Sequence, residues 1–244
     1  FSEMLIEKNL VKNCNVKFNP VDQETHYTDY NFKNIAFVPN VKNLEKYFEL
    51  NVHQADASAD YYPNDYNNSA IEIVLETLFD DSRLHLTEKI LRPIACGQPW
   101  ILAATPGSLE YIREYGFKTF SPYINESYDK IQNPLDRLQA IVNECQRISL
   151  LSIDQKNALF FELQKISDYN KKRFFSDDFF DTVVKEFQKN LDLALTNLGS
   201  IKGENWKKCM ERIQKSYPDA FEHLYKSNPV IEKINQRLKT ISQM

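Results

Sequence analysis

The chain has little glycine, with 5 glycines in 244 residues. Glycine is used where the backbone turns with a positive φ or approaches another group closely. Three of the five, Gly97, Gly107 and Gly116, nevertheless lie within a stretch of 20 residues. This clustering predicts tight backbone geometry there, and it marks the segment as the first place to look for a chemical site.

Long apolar runs, paired cysteines and clustered histidines are also missing. No run of about eighteen apolar residues occurs, so we expect neither a membrane span nor a membrane partner, and we predict a cytoplasmic protein. The cysteines are far apart, and free thiols are favoured over disulfides in a chain of this size without a secretion signal. The 4 histidines are scattered and no Asp-x-Asp motif occurs, so no metal site is predicted.

Charge of one sign does not dominate the chain. Its net charge of −4 argues against a wholly basic nucleic-acid-binding protein. Residues 1–85 hold 7 basic and 14 acidic residues, whereas residues 200–244 hold 9 basic and 5 acidic residues. An ordinary solvated surface explains this asymmetry, and so does a basic C-terminal end that contacts a polyanion such as DNA.

The sequence divides into three regions, which we predict as an N-terminal region over 1–69, an α/β unit over 70–150 and a helical region over 151–244. In the first region, Asn34–Pro39 is predicted as a strand and Val41–Leu50 as an amphipathic helix. Beyond Asn133-Pro134, which starts a helix in the usual way, the apolar spacing predicts further helices. They cover about residues 153–174, 177–198, 204–216 and 228–242.

The central region alternates between strand and helix patterns. Apolar segments predict strands at Ala70–Thr77 and Trp100–Ala104, with a third strand or strand-like turn at Phe117–Phe120. Thr87 caps a helix that starts at Glu88 and that Pro93 kinks or shortens, and a second helix covers Leu109–Tyr115. This order is typical of a parallel α/β unit.

Thr87-Glu88-Lys89 is the strongest candidate for chemistry in this unit. A helix N-terminus after a strand attracts phosphate, Lys89 adds a full positive charge, and Glu88 suits a ribose diol. Ligands of parallel sheets bind beyond the carboxyl ends of the strands, where the turn with Gly107 and Ser108 also lies. The alternative is an ordinary surface helix start with a cap and a first-turn acid.

The order of these motifs resembles a known family. Glu76, Thr87-Glu88-Lys89 and Gly97-Gln-Pro99 before an apolar strand resemble the donor-binding half of α1,3-fucosyltransferase-like enzymes. Residues 70–150 are similar, more broadly, to uncharacterised phage and marine-bacterial glycosyltransferase-like proteins, through Gly-Ser-Leu, Gly-Phe-Lys-Thr-Phe and Glu126-Ser-Tyr-Asp129 motifs.

The resemblance implies a Rossmann-like, parallel-sheet donor domain of GT-B type, followed by the α-helical C-terminal region. Its ligand would be a nucleotide-sugar, used as a substrate without a metal or other cofactor. Glu88 would then hold the ribose hydroxyls, Lys89 the diphosphate, and Glu76 the edge of the sugar pocket. The positive charge of Arg83 would offset the negative charges of Asp80 and Asp81, which would otherwise repel a diphosphate.

Three residues after the third predicted strand are candidates for the pocket edge. Glu126 and Asp129 can border the pocket, and Tyr128 can stack on a base. The alternative for all three is helix capping between Asn125 and Asp129.

The function implied is sugar transfer from the nucleotide-sugar to a glycan or to a modified DNA base. No catalytic base is assigned. Because residues 1–69 are too few for a complete acceptor domain, that half is reduced, absent or supplied by a partner chain. A phage-encoded enzyme would act in the host cytoplasm. The alternative is a non-catalytic interaction protein or virion assembly component that keeps a glycosyltransferase-like fold.

Overall fold

A computed structural model of the chain describes residues 1–18, 21–22, 25–26, 46–47, 49–50, 63–79, 83–198, 211 and 215. The chain forms two compact units, Phe1–Phe179 and Phe180–Met244. The predicted strand at Asn34–Pro39 and the predicted helix over 228–242 lie outside the described residues. Of the predicted helix over 204–216, only Glu211 and Lys215 are described, and both are helical. The region borders at 69 and 150 stay predictions.

The N-terminal elements are short. Helix α1 covers Ser2–Glu7 and helix α2 covers Pro63–Asn67. Between them lie four two-residue strands: β1 (Lys17–Phe18), β2 (Val21–Asp22), β3 (Thr25–His26) and β4 (Glu49–Leu50). Strand β1 pairs in parallel with β4, and β2 pairs in antiparallel with β3. The predicted helix over Val41–Leu50 is therefore wrong at its end, where the backbone pairs with β1 instead.

The centre of the first unit is a small parallel sheet. Strand β5 (Glu72–Leu75) pairs with strand β6 (Trp100–Ala103), in a register that sets Glu72 opposite Trp100. All four residues of β6 are buried, as expected of an apolar run rather than an alternating strand. Two predicted strands are thus confirmed in shortened form, and the described chain is a helix-rich mixed structure with a parallel sheet.

Helix α3 (Glu88–Cys96) connects the two strands, and helix α4 (Ser108–Glu114) follows β6. As predicted, Thr87 caps α3, and its hydroxyl accepts a hydrogen bond from the Lys89 N–H at 3.3 Å. The helix begins at Glu88 and continues through Pro93.

Phe117–Phe120 was predicted as a strand or a strand-like turn; the strand is wrong, and the strand-like turn is not contradicted. The Asn170 side chain both accepts from the N–H of Lys118 and donates to its carbonyl, each at 2.8 Å. The Glu126 carboxylate accepts the N–H groups of Phe120 and Ser121. Side chains thus take the backbone groups that a neighbouring strand would otherwise bind.

Three long helices complete the described chain: α5 (Pro134–Ser149), α6 (Ile153–Phe174) and α7 (Asp177–Leu198). Their bounds confirm the predicted helix starting after Asn133 and those over 153–174 and 177–198. Helices α5 and α6 close a core around Trp100 and Phe120, whose rings meet edge to face at 5.0 Å. No helix among the described residues is long and apolar enough to cross a membrane.

Helix α6 also contacts the ends of α3 and α4. Gly97 and Gly116 end these helices with φ values of 76° and 83°, which favour glycine. A Cβ atom on Gly97 would lie 3.1 Å from the Lys171 side chain, and one on Gly116 would lie 2.9 Å from the Arg173 side chain. Glycine is therefore favoured at both positions by φ, whereas the nearby Lys171 and Arg173 side chains are flexible and can shift.

Candidate functional site

The carboxyl edge of the sheet holds a buried carboxylate, Glu76. It follows β5 directly, and only 6% of its surface is exposed. One carboxylate oxygen accepts the Thr87 N–H at 3.0 Å, and the other accepts the Thr87 hydroxyl at 2.7 Å. Glu76 therefore ties the residue before helix α3 to the end of strand β5.

The Lys89 ammonium lies over the start of the same helix. Its Nζ is 3.3 Å from the Thr77 hydroxyl, 3.5 Å from the Thr87 hydroxyl and 3.3 Å from a Glu88 carboxylate oxygen. The Lys89 and Glu88 side chains remain 28% and 54% exposed. The structure thus brings together Glu76, Thr87, Glu88 and Lys89, as expected from the sequence.

Two groups at the start of α3 attract anions, beside the carboxylates of Glu76 and Glu88. The helix start carries partial positive charge, and Lys89 adds a full charge that two threonine hydroxyls hold in place. An entering phosphate can take the Lys89 ammonium from Glu88, because a phosphate is a stronger acceptor for it than an exposed carboxylate. A carboxylate such as that of Glu88 can accept hydrogen bonds from both hydroxyls of a diol.

Arg83 is an exposed residue of the loop that leads to Thr87. Its predicted role depended on Asp80 and Asp81, which lie outside the described residues. That role stays a prediction.

The second turn, with Gly107 and Ser108, lies at the same edge of the sheet. The Thr105 hydroxyl donates to the Leu78 carbonyl at 3.0 Å and so joins the loops that follow the two strands. The Gly107 N–H donates to the Asp129 carbonyl at 3.0 Å, and the buried Ser108 hydroxyl donates to the Thr105 carbonyl at 2.6 Å. These groups of Gly107 and Ser108 are therefore already bonded within the protein.

Asp129 occupies the start of helix α4. Its carboxylate accepts the Leu109 N–H at 3.2 Å. Burial raises the pKa of this carboxyl group, and the hydrogen bond from Leu109 opposes the shift. Asp129 thus caps a helix, which agrees with the capping alternative for this segment.

Glu126 and Tyr128 also make internal contacts. Besides two backbone N–H groups, the Glu126 carboxylate accepts the Thr119 hydroxyl and an Arg113 N–H, both at 2.8 Å. Tyr128 is 2% exposed and packs in the core, where burial raises the pKa of its hydroxyl. Its ring therefore has no exposed face for stacking on a base in this structure.

An open cleft of about 660 Å³ lies between α4 and the segment 121–130. Glu126 and Asp129 line it, so two of the three predicted pocket-edge residues do border a pocket. The sequence did not point to Arg113 or Arg147, which line the same cleft. The spacing Glu144-x-x-Arg147 predicts an ion pair, which the structure forms at 2.6 Å, but it does not predict a cavity.

Arg137 is a second residue that the sequence did not single out. It lies on α5 and is 1% exposed. Its guanidinium donates to the carbonyls of Ile131, Gln132 and Phe79, and it lies 4.2 Å from the centre of the Phe79 ring. Arg137 thereby fixes the loop between β5 and Thr87 to helix α5.

Among the described residues, no group of three or more His, Cys, Asp or Glu side chains is arranged to hold a metal ion. No protein-family model, curated protein or solved structure matches the chain. The function must therefore be argued from the residues of the site themselves.

Proposed function

We propose that the chain is a nucleotide-sugar-dependent glycosyltransferase that binds its donor at the carboxyl edge of β5, in a donor unit of GT-B type. The nucleoside diphosphate lies against the start of α3. Lys89 contacts the diphosphate and Glu88 contacts the ribose hydroxyls. The motif order Glu76, Thr87-Glu88-Lys89 and Gly97-Gln-Pro99 supports the donor class.

The observation that carries the proposal is the pair of hydrogen bonds between Glu76 and Thr87. A helix start that serves only as a surface turn needs a cap, which the Thr87 hydroxyl alone provides. Here a buried carboxylate also binds Thr87 across eleven residues. Glu76 therefore acts as a positioning residue that holds Glu88 and Lys89 at the sheet edge.

In the transfer, the bond between the sugar's anomeric carbon and the diphosphate oxygen breaks, and that oxygen keeps the electron pair. An acceptor hydroxyl forms the new bond to that carbon and loses its proton to the leaving diphosphate or to solvent. Negative charge then develops on the leaving diphosphate. A prearranged helix start and ammonium stabilise this charge without a metal or other cofactor.

The test is thermal unfolding with uridine, guanosine and cytidine diphosphates. A nucleotide at a hundred times its Kd adds about 2.7 kcal/mol of stability, which raises Tm by roughly 5–10 °C for a unit of this size. We expect such a rise with at least one nucleotide, and we expect Lys89→Ala and Glu88→Ala each to reduce it strongly.

Lys165→Ala is the matched control. It removes another exposed lysine paired with a neighbouring glutamate, Glu162 at 2.7 Å, on helix α6. The nucleotide response should persist in this variant. No Tm shift with any nucleotide, or equal shifts in all three variants, would contradict the proposal.

The second candidate is a non-catalytic interaction protein with the same fold. It is favoured by the exposed apolar face of α7, where Phe180, Val183 and Phe187 are 67%, 41% and 59% exposed at helical spacing. The same titration separates the candidates, since this protein would show no nucleotide response. Phe187→Glu should then reduce self-association or partner binding, measured by light scattering.

A further inference from the structure

The cleft beside α4 differs in charge from the sheet edge. Three basic and three acidic side chains line it: Arg113, Lys130, Arg147, Glu110, Glu126 and Asp129. Arg113 pairs with Glu126 at 2.8 Å, and Arg147 pairs with the buried Glu144 at 2.6 Å. A ligand that enters the cleft therefore meets a polar surface whose charges balance.

The ion pairs fix the walls of the cleft and leave other polar groups available. Glu126 accepts four hydrogen bonds, and Arg147 also donates to the Tyr123 carbonyl at 3.0 Å. In the described part of the chain, the hydroxyls of Ser121 and Ser127 and the ammonium of Lys130 have no hydrogen-bond partner. These three residues line a site whose frame is already held in place.

An aromatic ring lies at the same cleft. Tyr123 is 36% exposed, and its hydroxyl is fixed to Glu162 at 3.1 Å. A flat ring beside hydroxyl and ammonium donors suits a ligand with apolar C–H faces and many hydroxyls. This is the chemistry of a carbohydrate.

We propose that the cleft binds an uncharged oligosaccharide and that this glycan, rather than DNA, is the acceptor of the transfer. Its role as acceptor rests on the proposed function. A DNA-binding surface gains affinity by neutralising phosphates with an excess of basic groups, and the cleft has no such excess.

The cleft adjoins the donor edge through one turn. Asp129 lines the cleft, and its carbonyl accepts the Gly107 N–H in the turn after β6. That turn follows Thr105, which bonds to the loop after β5. Donor and acceptor sites would thus lie on the two sides of the Gly107 turn within this chain.

The test measures binding of the labelled full chain to an array of neutral oligosaccharides and, separately, to a DNA duplex. The decisive variant is Ser121→Ala/Ser127→Ala/Lys130→Ala, which removes the three available groups and keeps every ion pair of the cleft. We expect the wild type to bind at least one oligosaccharide and the triple variant to bind it at least tenfold more weakly. Lys172→Ala, which removes an exposed lysine of α6 that does not line the cleft, should bind it as the wild type does.

The outcomes distinguish a failure of the glycan-binding proposal from a failure of the donor-site proposal. The triple variant should keep its response to nucleoside diphosphates, and Lys89→Ala should keep its oligosaccharide binding. If oligosaccharide binds and no nucleotide does, the transferase proposal fails and the glycan cleft stands. The inference is overturned if no oligosaccharide binds, if the triple variant binds equally well, or if duplex DNA is preferred, with an affinity that falls steeply between about 50 and 200 mM salt.

Discussion

The contribution to stability of the hydrogen bond between the Thr87 hydroxyl and the Glu76 carboxylate can be measured with a double-mutant cycle of Glu76→Ala and Thr87→Val. Glu76→Ala removes both bonds to Thr87, whereas Thr87→Val removes the hydroxyl and leaves the backbone N–H. The lost N–H bond is common to both forms that carry Glu76→Ala, so it cancels in the cycle. The coupling energy then reports the 2.7 Å bond between the hydroxyl and the carboxylate.

Hydrogen bonds to charged groups contribute about 1.5–3 kcal/mol to stability. Because Glu76 is 6% exposed and the bond is short, we expect a coupling energy in that range. Thr87→Val alone should lower the free energy of unfolding by roughly 1 kcal/mol more than the coupling energy, since it also removes the cap that accepts the Lys89 N–H.

The assay is urea unfolding followed by the fluorescence of the buried Trp100, in a Trp206→Phe background. Thr77→Val is the matched control, because the Thr77 hydroxyl contacts Lys89 and not Glu76. Its cycle with Glu76→Ala should give a coupling below about 0.5 kcal/mol. A coupling that small for Thr87 would show that the bond between the Thr87 hydroxyl and the Glu76 carboxylate does not help to hold the start of α3.

Three further predictions concern buried groups. Arg137→Leu should lower the free energy of unfolding by about 3–5 kcal/mol in the urea assay, because it leaves buried carbonyls such as that of Phe79 without a donor; a loss below about 1 kcal/mol would contradict the anchoring role. Because burial raises the pKa of Asp129 in the folded state, its protonated form is favoured, and this favourable contribution is lost as the pH rises through the folded pKa. Asp129→Asn keeps a side-chain acceptor, so its free energy of unfolding relative to that of the wild type should be higher at pH 7 than at pH 3. The opposite trend in urea unfolding would refute this. Burial raises the pKa of Cys145 to about 12, so iodoacetamide at pH 8 should label Cys145 more slowly than Cys14, as peptide mass spectrometry would show.

The sequence predicted the elements whose signals are local. The cap at Thr87 and the helix start after Asn133-Pro134 depend on neighbouring residues, and both were found at the predicted positions. The strand at Trp100–Ala103 could be predicted from its composition, since a continuous apolar run is expected of a strand buried on both faces.

The failures came from contacts that the local spacing of residues does not reveal. Phe117–Phe120 has a strand-like composition, but Asn170 and Glu126 bind its backbone, and neither side chain could be paired with it from spacing. Tyr128 resembled an exposed stacking residue, yet its ring packs in the core. Arg137 could not be recognised because a buried arginine depends on carbonyls that two separate segments contribute, Ile131–Gln132 and the loop with Phe79.

The contacts of helix α6 have a consequence for how the first unit opens. Gln164 and Lys171 donate to the carbonyls of Gly97 and Cys96 at the end of α3, and Arg173 donates to the Tyr115 carbonyl at the end of α4. Neither helix end can separate from the protein without breaking bonds to this same helix. Hydrogen exchange should therefore find the last turns of α3 and α4 opening together, as one cooperative folding unit with α6.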